Sequence, residues 1–172
     1  MKKFQLLGIL FLIVCISCSQ APSYPLNLAS FSKNSVNVSM SLKKDEAGQF
    51  WLSALLTPDE GLHLYSKDTP LTGVNGVGRP ALLEATAESK YVVTGILIES
   101  VAAQIPEFEP KELLVYPPGP VTLSLPIELP PGDGWVDDFV QVTYMACSDS
   151  GCRAPVFGMV VPIHIPAINT LH

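Results

Sequence analysis

"VNVSMSL", residues 36–42, sets valine, valine, methionine and leucine at alternate positions, with asparagine and serines between them. Successive side chains of an extended chain point to opposite faces, so this period of two marks a strand with one buried face and one wet face. The same pattern recurs in "FWLSALL" (50–56), "LHLY" (62–65), "YVVTGILI" (91–98), "VTLSLPIEL" (121–129), "FVQVTYM" (139–145) and "VFGMVVPIHI" (156–165). Turn-forming clusters separate these runs: "TPDEG", "GVNGVG", "YPPGP" and "PPGDG". Many short strands, 16 prolines, 12 glycines and scarcely a helical period predict an all-β chain, an immunoglobulin-like antiparallel β-sandwich. The one helix candidate, "PALLEATAESKY" (80–91), reads equally as a strand and a turn. Pro126 and Pro162 fall inside strand patterns, which assigns those strands to sheet edges or bulges.

A length of 172 residues fits one domain. Lys2 and Lys3 precede an apolar run from Leu6 to Ile16 that is too short to span a bilayer and is followed by Ser17 and Cys18. That is signal-peptide grammar, and it predicts export. "CISC" (15–18) also resembles a bacterial lipobox, in which cleavage before Cys18 leaves that cysteine as the lipid-bearing first residue; ordinary secretion with nearby cleavage is the alternative. Residues 1–17 are thus read as a lipoprotein-type signal peptide, 18–35 as a lipidated tether and 36–168 as the folded domain. The expected location is the periplasm, with the lipid in the outer rather than the inner membrane.

Removing Lys2 and Lys3 from ten Lys and Arg against 16 Asp and Glu moves the net charge from −6 to −8. Such a surface repels phosphate backbones, and no basic patch with interleaved aromatics offsets it, which argues against a nucleic-acid partner. There is no Gly-x-Ser-x-Gly elbow, and "GVNGVG" lacks the strand-to-helix setting of a phosphate loop. Asp137 and Asp138 are adjacent and read as a solvated turn.

If, of the four cysteines, Cys15 leaves with the signal and Cys18 carries the lipid, Cys147 and Cys152 have only each other in an oxidising compartment. They lie in "YMACSDSGCRAP" (144–155), at the end of a strand pattern. A bridge closing so short a loop stabilises a fold by only about 2 kcal/mol, against about 4.7 kcal/mol for a loop near 100 residues. The turn sequence "SDSG" leaves the pair reachable, and exposed disulfides are the more reducible ones. An inert structural disulfide in a non-catalytic binding or assembly module remains the alternative. So does weak Cu(I) binding by Met145, Cys147, Cys152, Met159 and His164, although Arg153 and Phe157 stand where a copper site of the electron-transfer type places a histidine. No cofactor is expected.

The chain resembles the N-terminal periplasmic domain of the thiol:disulfide interchange protein DsbD. That family's pattern is an aromatic strand residue, a small residue, Cys, four or five residues, Cys and a close proline; here it reads Tyr144, Ala146, Cys147, "SDSG", Cys152 and Pro155. "EGLHLYSKD" (60–68) and "VYPPGPVTLSLPI" (115–127) extend the likeness, which covers roughly residues 36–165. The resemblance implies a redox-active dithiol, Cys147 and Cys152, in a protein-disulfide reductase component that takes electrons from a thioredoxin-like donor and passes them to disulfide-bonded clients. It implies Cys152 as the residue of the mixed disulfide and Cys147 as the resolving one. The family shields its cysteines with an aromatic cap loop, whose match is Phe108 in "PEFEPKE". Tyr65 matches a family tyrosine near the dithiol, and His63 stands where an aromatic residue is common. Asp149 either opposes thiolate formation or is simply a turn residue. The family's multi-span membrane domain and thioredoxin-like domain have no counterpart in these 172 residues, so electrons are expected to arrive in trans.

Overall fold

A computed structural model describes residues 23–171. The expected signal peptide, Cys15, Cys18 and His172 lie outside the described residues. Twelve strands and one 3₁₀ turn, Ile168–Leu171, make an all-β antiparallel sandwich. Among the described residues there is no α-helix, and no helix is long and apolar enough to cross a membrane.

The first sheet contains β1 (Leu26–Lys33), β2 (Val36–Lys44), β3 (Phe50–Pro58) and β8 (Val121–Glu128), with the short β6 (Val92–Val93) and β7 (Ile98–Glu99) both on the far edge of β8. The second contains β5 (Leu82–Ala85), β9 (Trp135–Tyr144) and β12 (Val156–Pro166), with β9 in the middle. The alternation read in the sequence explains what lies between them. Val36, Val38, Met40 and Leu42 of β2 join Leu52, Ala54 and Leu56 of β3 and Leu123 and Ile127 of β8 on one apolar face. They share a single buried cluster with Leu83, Val140, Val142, Ile163 and Ile165 of the second sheet. Burial of each valine, leucine, isoleucine or methionine side chain among them contributes about 1.5–3 kcal/mol, and these faces hold the fold together.

Three local expectations are corrected. Part of the stretch read as a tether is strand β1, paired with β2 from Leu26↔Leu42 to Lys33↔Val36. Asn34 and Ser35, both at positive φ (50° and 64°), supply the two-residue hairpin turn between them. "YVVTGILI" is not one strand but β6 and β7 with a gap. Thr94 N–H donates to the Pro126 carbonyl at 3.0 Å, and Pro126 has no N–H to return, so the ladder breaks where Gly95 crosses the proline ring. Asp137 and Asp138 lie within β9 rather than in a turn. Asp138 is buried and accepts from the backbone N–H groups of Lys90 (2.9 Å), Tyr91 (3.3 Å) and Phe139 (2.7 Å). The ambiguous "PALLEATAESKY" resolves as β5 followed by a turn, and Pro162 lies on β12, an edge strand as expected.

Candidate functional site

The third sheet is small: β4 (His63–Leu64), β10 (Ala146–Ser148) and β11 (Gly151–Cys152), in the order β11-β10-β4. It forms because the long hairpin of β9 and β12 does not close at its last pair, Tyr144↔Val156. The chain steps past Met145 into a second, smaller hairpin at its tip. Cys147 and Cys152 face each other across that hairpin. The bond from Arg153 N–H to the Ala146 carbonyl (2.8 Å) flanks them, which makes theirs a non-hydrogen-bonded pair, the kind whose side chains come closest. They form a disulfide, with Cα atoms 4.0 Å apart.

The two cysteines are not equivalent. Cys147 is 1% exposed and packs with Tyr65 and Leu113, against which Val74, Phe108, Val115 and Met145 lie. Cys152 is exposed. Tyr65 Oη lies 3.7 Å from Cys152 Sγ; a disulfide sulfur carries no proton, so the hydroxyl donates. Burial pushes the Tyr65 hydroxyl above its usual pKa and keeps it in the donating form.

His63 stands opposite Cys147 in the β4–β10 pairing. Its ring meets Tyr65 edge-on (centroids 5.4 Å apart) and stacks on Phe108 (5.5 Å). Burial lowers its pKa from the ordinary value, while the charge of Asp149 pulls the other way. Its Nε2 is buried and has no hydrogen-bond partner among the described residues.

Phe108 comes from a closed loop. Gln104 and Val115 exchange backbone N–H to carbonyl bonds of 2.7 and 3.0 Å at its base, and Lys111 Nζ ties its tip to the carbonyls of Pro106 (3.1 Å) and Glu107 (2.9 Å). "GVNGVG" forms the opposite wall. Val74 and Val77 exchange two 2.9 Å backbone bonds around Asn75 and Gly76, both at positive φ. Gly78 follows at φ 78°, where a Cβ would sit 2.6 Å from Leu113 Cδ1, so only glycine lets this wall approach.

Together these segments enclose a cavity of about 370 Å³ in which His63, Tyr65, Phe108, Asp149 and both cysteines meet. Tyr144 does not join them. It is fully buried in the main core, its hydroxyl donates to the Lys33 carbonyl (3.0 Å), and burial pushes its pKa up to about 12. Val77, Glu109, Leu113 and Ser148 also line the cavity and were not read from the sequence, since nothing local marks them. The larger groove, about 510 Å³, lies at the Phe50 end of β3, and no cysteine lines it.

Comparison with protein-family models, curated proteins and solved structures found no match.

The soft-ligand set weighed for copper is dispersed. His164 Nδ1 contacts Asp137 Oδ1 at 2.8 Å and its ring stacks on Trp135, at the far end of the β9–β12 hairpin from the cysteines. Met159 Sδ accepts from Lys33 Nζ at 3.5 Å. Among the described residues no group of three or more His, Cys, Asp or Glu side chains is arranged to hold a metal ion.

Proposed function

We propose that the chain is a thiol–disulfide interchange protein working through Cys147 and Cys152. The carrying observation is the division of that pair, Cys152 an exposed residue and Cys147 a buried one, both lining the same cavity. The likeness of "YMACSDSGCRAP" to the DsbD N-terminal domain, and the placing of His63, Tyr65 and Phe108 around the bridge, support the same reading. A donor thiolate attacks Cys152 Sγ, breaking the Cys147–Cys152 bond and forming a donor–Cys152 disulfide, while Cys147 leaves as a thiolate and takes up a proton. The donor's second thiol, deprotonated, attacks its own sulfur in that mixed disulfide and frees Cys152. In the forward half, the Cys152 thiolate attacks a client disulfide and one client sulfur departs and is protonated. Cys147 then loses its proton and attacks Cys152 Sγ, restoring the bridge and releasing the second client thiol. Two electrons and two protons pass from donor to client. The donor is a thioredoxin-like protein acting in trans; the setting is the periplasm, with the chain held to the outer membrane by lipid on Cys18.

Equilibration with glutathione buffers tests the proposal. An exchanging pair titrates within the range of such buffers, whereas a pair still oxidised below about −300 mV is a structural bridge, and the alternative of an inert binding module then stands. Cys147→Ser is expected to accumulate mixed disulfides through Cys152. Accumulation only through Cys147, in Cys152→Ser, reverses the two roles.

A further inference from the structure

β4, β10 and β11 set His63 across from Cys147 and Cys147 across from Cys152, so the three side chains form one row on one face of the small sheet. Directly opposed residues have Cβ atoms about 4.5–5.5 Å apart, within reach of an imidazole. Two features of this row are otherwise unexplained. His63 Nε2 is buried with no partner among the described residues, a costly arrangement unless a partner appears at another stage. Cys147 is buried in an apolar cluster, where a thiolate is disfavoured, yet exchange requires it to leave as a thiolate and later to attack as one.

We propose that His63 is the proton acceptor and donor of Cys147. This rests on the interchange reading and adds a role to it. With the bridge closed, Cys147 has no proton and Nε2 has nothing to bond. When Cys152 is attacked, the freed Cys147 thiolate takes a proton that the imidazole has drawn from solvent, and the imidazole ends the step neutral. When Cys147 must attack, the neutral imidazole receives that proton, the Cys147–Cys152 bond forms as the client sulfur leaves Cys152, and the imidazolium returns the proton to solvent, from which the client thiolate is protonated. The groups that face His63 are consistent with a neutral base. Tyr65 and Phe108 present rings, Asp149 from the hairpin turn brings a negative charge that eases protonation, and Glu109 lines the same cavity from the Phe108 loop. Desolvation outweighs Asp149 and keeps the ring neutral to a pH below its ordinary 6.5. The base is therefore present at neutral pH and lost as pH falls below that value.

The test forces the bridge open with a phosphine in the full chain, pulses with iodoacetamide between pH 5 and 9, and reads alkylation on the peptide containing Cys147. The wild type is expected to react about tenfold or more faster at pH 7 than His63→Phe, and to show a step below pH 6.5 that the variant lacks. His63→Gln, which keeps a hydrogen bond but cannot take a proton, also lacks the step. Superimposable profiles for wild type and both variants overturn the proposal. A readout without substitution guards against misfolded variants: the ¹⁵N titration of His63 shifts its midpoint between the closed and open bridge, and an unmoved midpoint overturns the proposal equally. Because the reductant is a small molecule, a pair inert toward glutathione sinks the interchange reading while the coupling of His63 to Cys147 is still measured.

Discussion

Leu123 in the middle of β8 and Cys147 in the middle of β10 are both fully buried strand residues, but their surroundings differ. Leu123 has β3 on one side and β7 on the other and belongs to the cluster shared by the two large sheets. Cys147 sits between strands of two residues each, over a cluster whose other buried members are Tyr65 and Leu113. The first region carries stability. The second holds the disulfide on a support too small to contribute much to the fold. Substitution of Leu123 by alanine is therefore expected to cost about 2–5 kcal/mol in urea unfolding. Opening the Cys147–Cys152 bridge costs no more than about 2 kcal/mol, because the closed loop is short. A bridge worth as much as Leu123 would break the distinction and favour a structural disulfide.

The same contrast decides what the sequence revealed. Period-two alternation at Val36–Leu42 or Val121–Ile127 records burial on one face, so the large sheets were legible from it. β1 was missed because "LNLASFSK" buries its residues only partly and pairs through a register irregularity near Asn27 and Ala29. The gap between β6 and β7 depends on a missing N–H in another strand, Pro126, which no local pattern announces. At the site, the cysteines were legible because they are close in sequence. His63, Tyr65 and Phe108 were reached through family likeness rather than pattern. Leu113 and Val77 were not reached at all, since register and a glycine turn bring them in from separate loops. Tyr144 shows the converse error: a residue near the cysteines in sequence belongs to the core, because β9 ends before the small hairpin begins.

Asp138 sharpens the comparison from the side of the large sheets. Its carboxylate is the buried acceptor for three backbone N–H groups, and it fixes the turn between β5 and β6 against β9. Asp138→Asn keeps one acceptor oxygen and is expected to lose about 1–3 kcal/mol in urea unfolding, with no effect on exchange at the cysteines. An exchange defect as large as the stability defect would mean that the two regions are coupled.

Alkaline pH tests the large core by a smaller, graded effect. Burial pushes Tyr91 and Tyr144 up to about 12, from a value near 10 in the unfolded chain. A raised folded pKa contributes stability that is complete below pH 10 and is lost as pH rises toward 12. Thermal unfolding midpoints are expected to fall across that window, and Tyr91→Phe to flatten the fall. A midpoint flat to pH 12 would contradict the burial of these hydroxyls.

The smallest effects separate the two histidines. His164 and Asp137 are 56% and 90% exposed in their side chains, so their contact is screened, and Asp137→Asn is expected to change stability by only about 0.2–1 kcal/mol, less in high salt. His63 lies in the small sheet, and burial depresses its folded pKa. Below pH 6.5 the unfolded chain binds a proton that the folded chain resists, so stability contributed by neutral His63 is lost as pH falls from 6.5 toward the folded value. Urea midpoints measured from pH 7.5 down to 5 should decline through this window in the wild type and in Asp137→Asn alike, and decline less in His63→Phe. If the profile of His63→Phe matched that of the wild type, the half-buried imidazole opposite Cys147 would have no proton to exchange in this range.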